Sequence, residues 1–160
     1  MKAICRNELY AKLVELGSRK GYAVIPEFKF KTTPRSRNWK YIDLVWARKR
    51  PRRLARQPCE SLCLWEIFAT FEIEGCNVPY QRIQDHVEAL SMIRKPRGLR
   101  ERSHHIVLYS AAYDRKNWLD SRQVEAATQR RQEHFAHSTV SVIDGSSLKA
   151  ISGFQRAKGA

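Results

Sequence analysis

Hydrophobic and polar residues alternate most clearly over Leu64–Gly75, LWEIFATFEIEG. Read with period two, Trp65, Ile67, Ala69, Phe71 and Ile73 form one apolar face. Glu66, Phe68, Thr70, Glu72 and Glu74 form the other, and three of those five are acids. Successive side chains of a strand point to opposite sides, so the stretch predicts a strand packed behind and carrying two carboxylates at its exit. Neighbouring carboxylates repel, which a bound divalent cation would relieve.

The same pattern predicts the remaining elements. Asn7–Lys20 is a helix on the spacing of Leu9, Leu13 and Leu16, ended by Gly17 or Gly21. Tyr22–Thr32 is a strand in which Glu27, Lys29 and Lys31 alternate with Phe28 and Phe30, and Pro26 predicts an edge or a bulge. Thr33–Asn38 is a basic loop. Trp39–Ala47 is a strand with Tyr41, Asp43 and Val45 on one face and Ile42, Leu44 and Trp46 on the other. Arg48–Glu60 is an arginine-crowded loop with two prolines. After the acidic strand, Pro79 opens a helix over Tyr80–Arg94 with a stripe of Ile83, Val87 and Leu90. Lys95–Ser103 is a second basic loop, and the apolar run His105–Ala111 reads as a buried strand. A polar helix over Asp114–Ala136 and a strand over Thr139–Ile143 complete the series. The order αβββαβαβ predicts an α/β fold, a mixed sheet flanked by helices, in one domain over residues 1–145 with a short basic tail over 146–160.

Register decides whether the acids meet. In an antiparallel hairpin, Asp43 opposite Glu72 centres the turn near Gln57, within the basic loop, and opposed residues share a face. That register gathers Asp43, Glu72 and Glu74. Glu66 in their place needs a turn centred at residue 54 or 55, also within the loop, but Glu66 lies mid-strand and not at the exit where sites form.

Charge sharpens the picture. Thirty Lys and Arg against 16 Asp and Glu give a formal net charge of +14. A field of that sign favours polyanions, nucleic acid above all. Arg35, Arg37, Arg48, Lys49, Arg50, Arg52, Arg53, Arg56 and Arg82 are the candidate phosphate contacts. No secretory h-region and no membrane-length apolar run are present, so a cytoplasmic protein without a membrane partner is expected. Cys59 and Cys63 lack zinc-knuckle spacing, and reduced thiols are the expectation for all four cysteines. No phosphate-binding loop, dinucleotide fingerprint or nucleophilic triad is seen.

YIDLVW around Asp43 and FEIEG around Glu72 and Glu74, set in this element order, resemble the PD-(D/E)XK nuclease superfamily. The resemblance implies a restriction-endonuclease-like core and a magnesium- or manganese-dependent DNA endonuclease, acting in defence, mobile-element or repair contexts, as a homodimer or within a larger complex. It implies that Asp43 and Glu72 hold the metal with the backbone carbonyl of Ile73, joined in some branches by a glutamate matching Glu8. Glu74 stands where the family usually has lysine, giving E-x-E for E-x-K. Lys29 or Lys31 would then supply the missing ammonium, and Gln81 or Gln84 matches a supporting polar position. Independently of the resemblance, Glu74 fits a second metal site or a general base. The alternatives are a ribonuclease, a catalytically inactive nucleic-acid-binding or assembly module of the same fold, and simple solvated pairing of Glu72 and Glu74 with Lys29 and Lys31.

Overall fold

The computed structural model describes residues 4–51, 60–94, 103–109, 121–146 and 148. It is an α/β fold with a five-stranded mixed sheet flanked by helices. In chain order the elements are α1 (Arg6–Arg19), β1 (Ala23–Phe30), β2 (Lys40–Lys49), α2 (Glu60–Leu64), β3 (Trp65–Gly75), α3 (Tyr80–Ser91), β4 (His104–Tyr109), α4 (Ser121–His134) and β5 (Val140–Asp144). The sheet order is β1-β2-β3-β4-β5. The first three strands form an antiparallel meander, and β4 and β5 add in parallel after the crossovers carrying α3 and α4. β1 is an edge strand, as Pro26 predicts. The short helix α2 is not anticipated by the sequence, and β2 runs to Lys49, so Arg48 and Lys49 belong to a strand and not to the loop. Arg52, Arg53, Arg56 and Cys59, residues 95–102 and most of the tail lie outside the described residues.

Two apolar layers sandwich the sheet. On one face, α1 contributes Leu9 and Leu13 against Leu44, Trp46, Ala69, Phe71, Ile73 and Val107. On the other, Ile83 and Leu90 of α3 and Val124 of α4 pack on Phe28, Phe30, Ile42, Val45, Ile106 and Leu108. β4, HHIVLY, is buried along its whole length because both layers cover it.

Two corrections to the period-two reading matter for the site. β3 is not apolar on one face throughout: Trp65 and Ile67 pack in the α3 layer, whereas Ala69, Phe71 and Ile73 pack in the α1 layer. The β2–β3 register shifts between Trp46↔Ala69 and Ala47↔Ile67, leaving Phe68 as an extra residue, and such a bulge swaps the faces beyond it. Phe68 itself packs beside Tyr22, ring centroids 5.1 Å apart, and not on the acid face. A second swap occurs at Asp43. Ile42 lies in the α3 layer and Leu44 in the α1 layer. In β1, Val24 and Phe28 divide the same way around Glu27, whose φ of 46° is the left-handed region disfavoured for a side-chain-bearing residue.

The end of β3 is fixed by Arg131 of α4. Its Nε and Nη2 donate to the Val78 carbonyl at 3.1 and 2.7 Å, and Nη1 to that of Ala127 at 3.0 Å. The guanidinium lies 5.0 Å from the Tyr80 ring at the start of α3. Arg131→Met keeps the apolar stem but leaves a buried carbonyl without its donors, so it is expected to cost about 2 kcal/mol by urea unfolding.

Candidate functional site

The β2–β3 pairing over Leu44↔Phe71, Val45↔Thr70 and Trp46↔Ala69 is the register that sets Asp43 across from Glu72. The ladder stops at Leu44↔Phe71, whereas β1–β2 pairing runs on to Phe30↔Lys40. The sheet therefore forks, with Asp43 and Glu72 at the base. The next β3 residue, Ile73, gives its N–H to Asp43 Oδ2 at 2.8 Å, so a carboxylate replaces the missing strand partner. Arg6 at the start of α1 approaches Asp43 Oδ1 at 3.6 Å.

Glu72 is 5 % exposed. Burial pushes its carboxyl up to about 9, and the charge of Asp43 adds to the shift. A hydrogen bond from the Asp43 backbone opposes this without balancing it. Glu74 behaves oppositely. Burial raises it, but hydrogen bonds from His86 and Arg82 and their charges outweigh burial and hold it below the usual carboxylate range. Arg82 Nε donates to Glu74 Oε1 at 2.7 Å, and His86 Nε2 lies 2.9 Å from the same oxygen. His86 Nδ1 is 3.5 Å from Glu72 Oε1. Arg82 and His86 sit one turn apart on α3, which brings both side chains to Glu74.

A cavity of about 250 Å³ fills the fork, lined by Phe30, Lys40 and Ile42 on the hairpin side and by Glu72, Arg82 and His86 on the other. Among the described residues no group of three or more His, Cys, Asp or Glu side chains is arranged to hold a metal ion. Two carboxylates, Asp43 and Glu72, share the base of the fork, and Glu74 is turned into its ion pairs. The pair nonetheless suits a hard divalent cation. Its donors are oxygens, and a cation would favour the charged form of Glu72 that burial, aided by the charge of Asp43, disfavours.

The other predicted residues divide plainly. Glu8 is exposed, two positions from Arg6 and so on another side of α1. Gln81 and Gln84 donate along α3 to Asp85 and Glu88, at 3.0 and 3.2 Å. The ammonium groups of Lys29 and Lys31 lie over the Trp39 ring, 4.3 and 4.7 Å from its centroid. The lysine that lines the cavity is Lys40. Arg35 and Arg37 are exposed in the turn between β1 and β2. Arg48 lies over Tyr22 and Phe68, and Arg50 Nε donates to the Trp65 carbonyl at 3.2 Å. His104 pairs with Thr70 at 2.8 Å and His105 with Ser141 at 2.5 Å, inside the sheet and away from the fork. Arg6, Lys40 and His86 are the residues that sequence reasoning missed. Only the four-residue spacing of Arg82 and His86 beside a helix start signalled any of them.

Comparison with known protein families, with curated proteins and with solved structures finds no match to this chain. Among the described residues no helix is long and apolar enough to cross a membrane.

Proposed function

We propose that the chain is a divalent-metal-dependent DNA endonuclease with a restriction-endonuclease-like core, cutting phosphodiester bonds at the base of the fork. The observation that carries this reading is the meeting of Asp43 and Glu72 where β2 and β3 part. Asp43 and Glu72, with the Ile73 carbonyl as a third donor, would hold magnesium or manganese, which would supply an activated water and neutralise phosphate charge. Asp43 is oriented for this by the Ile73 N–H. Lys40 and Arg6 offer positive charge to the phosphate from either side of the acids. Glu74 serves best as an anchor, fixing Arg82 and His86 at the cavity wall. Arg82 and His86 take the place of the lysine expected at position 74. A net charge of +14 supports a polyanionic substrate. A single copy would nick, and a homodimer or larger assembly would cut both strands.

The test is plasmid nicking with magnesium or manganese, using wild type and Asp43→Asn. Loss of a direct metal ligand should exceed the loss of about 10–100-fold typical of outer-shell partners, while DNA binding in chelator is retained. Equal nicking by both proteins overturns the reading. DNA binding without nicking by wild type assigns the fold to a binding module instead, which the ion-paired Glu74 favours. Labelled RNA in competition with DNA separates a ribonuclease from a deoxyribonuclease.

A further inference from the structure

The β1–β2 ribbon continues past the fork, and its two faces differ. Phe28, Phe30 and Ile42 are buried on the inner side. On the outer side Lys29 stands directly opposite Tyr41, and the ammonium groups of Lys29 and Lys31 lie over Trp39 just beyond. Tyr41 is 60 % exposed and Trp39 38 % exposed. Neither belongs to an apolar layer of the sheet. Tyr41 leaves more than half of its surface in water, where a large ring contributes little to folding.

We infer that this outer face is a stacking platform for unpaired nucleic acid, which threads from Trp39 and Tyr41 toward Asp43. Trp39, Tyr41 and Asp43 follow one another at alternate positions of one segment, each step about 6.8 Å along an extended strand. Tyr41 also lines the cavity that holds Glu72. Its open ring offers a base a π-face, and the lysines fixed over Trp39 offer the adjoining phosphates two positive charges. Aromatic faces interleaved with cations are the chemistry by which single strands are held without sequence preference. A ribbon reading duplex DNA in a groove would instead present polar groups to the base edges. An acidic protein segment would be met by the lysines but would leave the exposed tyrosine without a role.

This inference rests on the nucleic-acid reading above, and binding measured without metal separates the two. Fluorescence anisotropy of labelled oligothymidylate and of a duplex of equal length is followed in chelator at moderate salt. The proteins are the full chain as wild type, Tyr41→Ala, Tyr41→Phe and Trp39→Ala. Wild type should bind the single strand more tightly than the duplex. Tyr41→Ala should weaken single-strand binding about tenfold, as loss of one stacked base does. Tyr41→Phe should retain it, and duplex binding should change less than twofold in all three. Circular dichroism and urea midpoints equal to wild type exclude misfolding, since both rings are outside the apolar layers. Equal affinity for both forms, or no effect of Tyr41→Ala, overturns the platform and leaves the nuclease reading standing. Failure of wild type to bind either form removes the nucleic-acid reading and the platform with it.

Discussion

Glu72→Gln will make the metal-free protein more stable at alkaline pH and, on the proposed nuclease reading, will at the same time abolish nicking. The two effects have one origin, a buried carboxyl beside the charge of Asp43, pushed up to about 9. In the unfolded chain the group titrates near its ordinary value of 4.5. Between those values the folded state keeps a proton that the unfolded state has released. Stability therefore falls as pH rises through this window, by at most about 1.4 kcal/mol per unit, and levels off above it. Glutamine has the shape of the protonated acid and cannot ionise, so the variant loses this slope. Its urea midpoint should match wild type near pH 5 and exceed it at pH 8. Glu74 acts in a separate range. Held low by His86 and Arg82, it stabilises at pH above its unfolded value, and that contribution is lost only on acidification. Manganese at pH 8 should raise the wild-type midpoint, since a ligand bound only by the folded state stabilises it, and should leave Glu72→Gln nearly unmoved. A variant less stable than wild type at pH 8 without metal would show Glu72 charged and satisfied in the fold, and would remove the reason for a cation.

How far the sequence carried this site depends on what each step required. The register required only a period-two pattern in two segments joined by a loop, and Leu44↔Phe71 follows from it. The faces required more. The bulge at Phe68 and the left-handed Glu27 each reverse the alternation; nothing in FAT marks the first, whereas Pro26 signals an edge or a bulge beside the second. The lysine that lines the cavity is Lys40, not Lys29 or Lys31. Lys29 pairs with Tyr41 on the outer side, whereas Lys40 pairs with Phe30 on the inner side. Arg82 and His86 were legible as neighbours on a helix but not as partners of Glu74, because that depends on how the crossover helix lies over the sheet. Arg6, not Glu8, reaches the site from α1, a difference of helix rotation that Leu9 and Leu13 set by packing.

Gly17→Ala is expected to destabilise the protein by about 3 kcal/mol. Of the two glycines that the sequence offers as a helix stop, Gly21 is the left-handed one, with φ 80°, and α1 runs through Gly17 to Arg19. Gly17 completes a buried stripe with Leu9 and Leu13. A methyl there would stand 2.3 Å from Trp46 Nε1 and 2.6 Å from Cδ1. In an exposed helix the same change would stabilise by about 1 kcal/mol, because glycine is the poorer helix former. Here the sign reverses, since the indole cannot retreat. Trp46 is fully buried, its ring 4.6 Å from that of Phe71 and 5.9 Å from that of Tyr22. Its Nε1 donates to the Leu13 carbonyl at 3.1 Å, a bond that requires the helix backbone this close to the sheet. Lifting α1 by the width of a methyl breaks that bond, strands a buried donor and overpacks the layer. The same lift would draw Arg6 away from Asp43, three residues along β2 from Trp46. Gly17→Ala should therefore lower the urea midpoint and weaken manganese-dependent nicking in the fraction that still folds. Trp46→Phe removes the donor and part of the ring, so the double variant should be less destabilised than the sum of the single changes. Strict additivity, or an unchanged midpoint for Gly17→Ala, would mean that α1 does not rest on the indole as the packing of Gly17 against Trp46 requires.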